Sequence, residues 1–190
     1  MNEMIFNPDK LEKLNNPVRK KWLPPELIWK SLDLESPEVL VDYGAGTDFF
    51  TQEFASSAPE AVIHAVDIQP VMIEYLNANM PENIRPVLVD STHIPLKNNC
   101  ADALWSIAVY HELENTETFL NEAYRVLKPG GVLLIIDWEK ENPEMSSGPP
   151  IAERIGSSEL IREIIDSGFR EITSIQEFNS HICIRALKPL

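Results

Sequence analysis

The chain has 190 residues, of which 44% are hydrophobic and 24% charged, ordinary values for one globular domain. Its 30 acidic residues outnumber 16 basic ones, and the net charge of −14 argues against a nucleic-acid backbone or an anionic membrane as partner, because both require clustered Lys and Arg. A small or cationic partner is easier to accommodate. No apolar run approaches the roughly 18 residues that span a bilayer. The first residues lack the apolar core of a signal peptide, so a soluble cytoplasmic protein is expected. Cys100 and Cys183 are too few for a disulfide framework. His64, His93, His111 and His181 are scattered without metal-ligand spacing, and no metal is expected.

Residues 1–36 read as a helical preamble to an α/β domain over 37–190, the whole forming a single domain. Leu11, Leu14, Val18, Trp22 and Leu23 mark a first helix. Pro24-Pro25-Glu26 opens a second that carries Leu27, Ile28 and Leu32. The preamble is either a solvated helical face or a cap over the site.

Strand one is Val39 to Val41, ending at Asp42. The turn Tyr43-Gly44-Ala45-Gly46-Thr47 follows, and a helix is expected from about Asp48 to Ser57. Strand two is Ala61 to Val66 and ends at Asp67. A helix opens at Pro70 and closes at Pro81. Strand three is Ile84 to Val89, expected at a sheet edge because Pro86 interrupts it, and it ends at Asp90. Strand four is Ala103 to Ala108.

Phe119, Leu120, Ala123, Tyr124, Val126 and Leu127 follow helical spacing, and Lys128-Pro129-Gly130-Gly131 stops that helix. Val132 to Ile136 is a continuous apolar strand of the kind buried on both faces, ending at Asp137-Trp138. Residues 139–156 lack periodicity and form a long loop, a candidate lid. Ser157 is expected to cap a helix that ends at Gly168, and strands at Phe169–Ile175 and His181–Leu187 close the chain as an antiparallel pair.

Alternation of this kind predicts a Rossmann-like, doubly wound, mostly parallel seven-stranded sheet with an antiparallel last strand and helices on both faces. Ligands of such sheets bind at the carboxyl ends of the strands. Asp42, Asp67 and Asp90 all end strands at that edge. Asp67 lies 23 residues beyond Gly44, the spacing that lets a carboxylate accept from paired ribose hydroxyls. The dinucleotide fingerprint G-x-G-x-x-G is incomplete, with Phe49 in its third place, and Asp48 puts negative charge where a pyrophosphate would sit.

Taken together, these motifs resemble the class I S-adenosylmethionine-dependent methyltransferases of the small-molecule type. Val39 to Thr47 is similar to their cofactor loop, Ala65-Val66-Asp67-Ile68 to their second motif, and Val89-Asp90-Ser91 with Ile94-Pro95-Leu96 to their third. Ala101 to Trp105 with Tyr110-His111-Glu112 resembles the fourth, and Glu122 to Gly131 with Leu133 to Trp138 is the most specific match. The resemblance implies S-adenosyl-L-methionine as cofactor. It places Tyr43, Gly44, Ala45 and Gly46 against the methionine moiety and Asp42 near its ammonium. Asp67 would hold the ribose, Ile68 would flank the adenine, and Asp90 with Ser91 would read the amine edge of the base. Ser106 to His111 would face the sulfonium and the acceptor, with His111 as general base.

Asp48 stands where the family usually has a third glycine; of the two roles that suit it, helix cap and partner of the cofactor's ammonium, the cap is expected. Two further readings stay open at this point. One is a non-catalytic binding or scaffold protein on the same fold, motivated by Asp48. The other is a nicotinamide-dependent oxidoreductase.

Overall fold

The computed structural model describes residues 14–90, 92–140, 148–178 and 181–190. In chain order the elements are α1 (Arg19–Trp22), α2 (Pro25–Leu32), β1 (Val39–Tyr43), α3 (Thr51–Ser57), β2 (Val62–Asp67), α4 (Pro70–Asn79) and β3 (Ile84–Leu88). They continue with β4 (Ala101–Ile107), a 3-10 turn (Tyr110–Glu112), α5 (Thr116–Val126), β5 (Leu127–Trp138), a second 3-10 turn (Ile151–Glu153), α6 (Ser157–Asp166), β6 (Arg170–Ser174) and β7 (His181–Leu187). The seven strands form one sheet in the order β3-β2-β1-β4-β5-β7-β6. β7 runs antiparallel to both of its neighbours, and every other pairing is parallel.

Strand alternation divides the core into two layers. Trp105 and Leu134 join Phe54, Ile28 and Leu76 on one face of the sheet. Their neighbours Leu104 and Leu133 join Phe119, Leu120, Leu160 and Ile164 on the other. The expected continuous apolar strand is therefore covered on both faces, by α2, α3 and α4 on one side and α5 and α6 on the other.

The elements differ from expectation in three places. The helix after the glycine turn starts at Thr51, not Asp48, because residues 48–50 are still turning; Phe50 precedes it with no side-chain cap. Lys128 to Gly131 does not simply stop the preceding helix. Leu127 already pairs with Ala101, and a register shift lies between Ala101 and Ala103. Gly131 packs so tightly there that a Cβ would sit 2.8 Å from the Lys128 carbonyl oxygen. Ser157 is the first residue of α6 rather than its cap, and its hydroxyl donates to Glu139 Oε2 at 2.6 Å.

The chain leaves β1 outward to β2 and β3, then returns to place β4 on the other side of β1. That reversal opens a crevice at the carboxyl ends of β1 and β4, where ligands of such sheets bind. Among the described residues no helix is long and apolar enough to cross a membrane.

Candidate functional site

A cavity of about 1200 Å³ occupies this crevice. Its floor is the turn after β1. Gly44 and Gly46 have φ of +77° and +56°, the left-handed region glycine enters freely. Gly44 has a second constraint, since a Cβ would lie 2.5 Å from Val109 Cγ2. The turn's amides are engaged internally. Gly44 and Ala45 both donate to the Val66 carbonyl, at 2.8 and 3.0 Å, and Asp48 donates to the Ala45 carbonyl at 2.8 Å. Gly46 donates to Asp67 Oδ2 at 2.8 Å, while Asp67 Oδ1 accepts from Gln69 at 2.9 Å. Burial raises the Asp67 carboxyl above its usual range, although these amides pull the other way.

Tyr43, Gly44, Ala45, Gly46 and Asp42 all line the cavity, as do Asp67, Ile68, Asp90 and His111. Ile68 is 43% exposed, an apolar surface at the mouth. Ser91 lies outside the described residues. Ser106 does not line the cavity. It is fully buried one residue before the end of β4, inside the sheet, and the wall there is made by Ile107, Ala108 and Val109.

Asp48 has φ +62°. The position demands a left-handed backbone, which explains why glycine suits it and why aspartate, one of the few side chains at ease there, can replace glycine. The turn thus keeps its glycine-like path. The side chain does not cap α3 and does not line the cavity. It is 1% exposed, with no hydrogen-bond partner on either oxygen among the described residues. The nearby Thr51 hydroxyl has one proton, and it is given to Asp42 Oδ2. Burial, reinforced by the charge of Asp42, raises the Asp48 carboxyl to about 8. Burial likewise raises Asp42 to about 7, against the pull of Thr51, the Trp105 indole and Arg19.

At the other end of the cavity the structure brings together a pair whose second member sequence reasoning passed over. Asp137, fully buried at the end of β5, accepts from the His111 backbone amide at 3.1 Å and lies 2.7 Å from His111 Nδ1. Burial works against a charged His111, but the hydrogen bond and charge of Asp137, with Glu112 and Glu153, outweigh it and lift the imidazole above its ordinary value. In the neutral ring Nδ1–H donates to Asp137, which leaves Nε2 as the basic atom. The missed signal was present: Asp137 ends a strand at the same edge as Asp42 and Asp67.

The described part of the preamble lies over the turn. Thr47 Oγ1 donates to Asn15 Oδ1 at 2.6 Å, Lys20 pairs with Glu53 at 2.5 Å, and the Arg19 guanidinium stands 4.9 Å from the Phe50 ring centre. Leu14, Arg19 and Trp22 line the cavity. Trp22 meets Trp138 edge-on at 6.2 Å, and Trp138 stacks on His181 at 4.3 Å.

A family model described as a methyltransferase domain matches residues 41–135, half of the chain. The chain belongs to the class I S-adenosylmethionine-dependent methyltransferases. A malonyl-[acyl-carrier protein] O-methyltransferase of Hahella chejuensis is 34% identical to this methyltransferase-family chain over 100 residues, which cover 52% of the chain and 36% of the relative. A trans-aconitate 2-methyltransferase of Methylobacterium radiotolerans is 29% identical over 112 residues, 59% of the chain and 42% of the relative. The matched stretch thus spans less than half the length of either curated relative. Among solved structures, a SAM dependent methyltransferase from Aquifex aeolicus superposes with a TM-score of 0.88 at 28% identity, over 97% of this chain and all of that one.

The cavity fits the family's cofactor. A pyrophosphate needs free amides, and those of Gly44, Ala45, Gly46 and Asp48 are all taken. What the edge offers instead is carboxylates, suited to hydroxyls, an exocyclic amine and an ammonium. Asp67 retains acceptor capacity beyond its two amide bonds, because an ionised carboxylate has about four acceptor sites.

Proposed function

We propose that this chain catalyses transfer of a methyl group from S-adenosyl-L-methionine to a small-molecule acceptor. The observation that carries the proposal is a buried His–Asp pair opening into the same cavity as the glycine turn and Asp67. When bound, the cofactor supplies a methyl carbon already activated by positive sulfur. The protein's part is to hold, align and exclude water.

Asp67 takes the ribose hydroxyls, Ile68 covers the adenine, and Asp90 accepts from its amine. The turn at Tyr43 to Gly46 lies along the methionine portion, with Asp42 toward the ammonium. Arg19, which lines the cavity from α1, takes the carboxylate. Its guanidinium is brought down to about 10 by burial, with Asp42 opposing, so it stays charged at neutral pH. The preamble therefore acts as a cap, contributing Arg19 and Trp22. Asp137 holds His111 with Nε2 toward the acceptor, where it removes the proton that a nucleophilic hydroxyl or amine must lose. Asp48, facing away from the cavity on an undistorted turn, supports this catalytic reading over a scaffold on the same fold.

Incubation with methyl-labelled S-adenosyl-L-methionine and a panel of small acceptors tests the proposal. Label should move to an acceptor with S-adenosylhomocysteine formed in equal amount. Cofactor binding with no transfer to any class of nucleophile would favour the scaffold.

A further inference from the structure

The acceptor end of the cavity has a chemical character of its own. Its walls are rings: Trp22, Trp138 and His181. Gly148 keeps one wall close, for a Cβ there would stand 2.7 Å from the Trp138 ring. Burial lowers His181 to about 4, so this imidazole is neutral at physiological pH and behaves as a flat polar ring. Around the basic atom the charges are negative. Glu112 Oε1 lies 3.8 Å from His111 Nε2, and both Glu112 and Glu153 line the cavity and act electrostatically on His111.

Two cations, Arg19 and Arg154, are near enough to act on His181, and each guanidinium is engaged by the protein. Arg19 sits over Phe49 and Phe50 at the turn, and its guanidinium donates to the Leu14 carbonyl at 2.6 Å. Arg154 packs its guanidinium 5.8 Å from the Trp138 ring centre, donates to the Pro149 carbonyl, and does not line the cavity. An acceptor presenting a free carboxylate to His111 Nε2 would therefore meet Glu112 and Glu153, the carboxylates that act on His111, while Arg19 and Arg154 donate to the Leu14 and Pro149 carbonyls. A protonated amine would meet the same two carboxylates favourably, and an apolar frame would pack against the ring surfaces that line the cavity.

We infer that the acceptor is a small amine carried on an aromatic or otherwise apolar frame, packed against the Trp22 and Trp138 surfaces that line the cavity, with its nitrogen toward His111, Glu112 and Glu153. This rests on the methyl-transfer reading of the same cavity. Glu112 and Glu153 hold the ammonium form, and His111 Nε2 takes one of its protons. The freed nitrogen lone pair forms the new N–C bond as the methyl carbon's bond to sulfur breaks, with that pair remaining on sulfur. The products are the N-methylated amine, S-adenosylhomocysteine and a proton on His111 that passes to solvent. The carboxylate acceptors named for the trans-aconitate relative are disfavoured for this chain.

The test is calorimetric binding of three probes with one frame, 2-phenylethylamine, 2-phenylethanol and phenylacetate, to the protein saturated with S-adenosylhomocysteine. The amine should bind at least about tenfold more tightly than phenylacetate, the alcohol falling between. Glu153→Gln, a rim substitution on an exposed residue, should shrink the amine-to-acid ratio by about threefold or more without changing S-adenosylhomocysteine affinity. Equal or tighter binding of phenylacetate overturns the inference, as does failure of all three probes on a protein that binds S-adenosylhomocysteine. Failure of S-adenosylhomocysteine itself, titrated first, removes the methyl-transfer reading and this inference with it.

Discussion

Replacing Asp48 with asparagine should change stability by an amount that grows with pH. Asp48 is 1% exposed and its oxygens have no hydrogen-bond partner among the described residues. Burial raises its carboxyl to about 8, whereas in the unfolded chain it ionises near its ordinary value of about 4. Between those values the folded chain keeps a proton that the unfolded chain releases, so stability is full below about pH 4 and is lost as pH rises toward 8. Asparagine preserves the shape, tolerates φ +62° and cannot ionise. The gain over the parent should therefore climb by up to about 1.4 kcal/mol per pH unit, on the order of 4 kcal/mol by pH 7. The new amide also buries donors, which subtracts about 1–3 kcal/mol at every pH, so the slope carries the test and not the offset. Urea unfolding of both proteins at several values from about pH 4.5 to 8 measures it. A difference between the two that stays flat across this range would refute a proton-holding Asp48.

His111→Gln should lower turnover by about 10²–10⁴ while leaving S-adenosylhomocysteine affinity intact, since the imidazole acts on the acceptor. Parent activity should rise with pH through a value above that of an ordinary histidine, because His111 must be neutral to accept and Asp137 lifts it; in Asp137→Asn this limb should move to lower pH, and an unmoved limb would sever the pair from the chemistry. Gly44→Ala should lower Tm by about 5 °C or more, from φ +77° and the clash with Val109. Asp67→Ala should weaken S-adenosylhomocysteine binding by about tenfold or more, through loss of the ribose acceptor and release of the Gly46 amide; unchanged affinity would move the ribose elsewhere.

Much of the sheet was legible because parallel strands buried on both faces leave uninterrupted apolar runs, and because strand ends carry acids. The same regularity put Asp42 and Asp67 at the sheet edge where the cavity opens. Ser106 lies within the strand expected from Ala103 to Ala108, and its burial inside the sheet keeps it off the cavity lining. Asp48 was visible as an exception, but its meaning depends on a backbone angle and on which way the carboxylate points, neither of which a sequence displays. Asp137 needed register as well as pattern, since its partner lies 26 residues earlier on a turn that only the β4–β5 pairing brings close. That the described part of the preamble lies over the turn could not be read from its basic residues alone. It depends on long-range contacts such as Thr47 with Asn15 and Lys20 with Glu53.

The glycine turn remains the centre of the molecule, with the Gly44, Ala45, Gly46 and Asp48 amides engaged internally and Asp42 and Asp67 lining the cavity beside it. Calorimetric titration of the intact chain with S-adenosylhomocysteine and, separately, with NAD tests that assignment most directly. One-to-one binding of the first with no heat from the second is the expected result. Binding of NAD, or of neither, would contradict it.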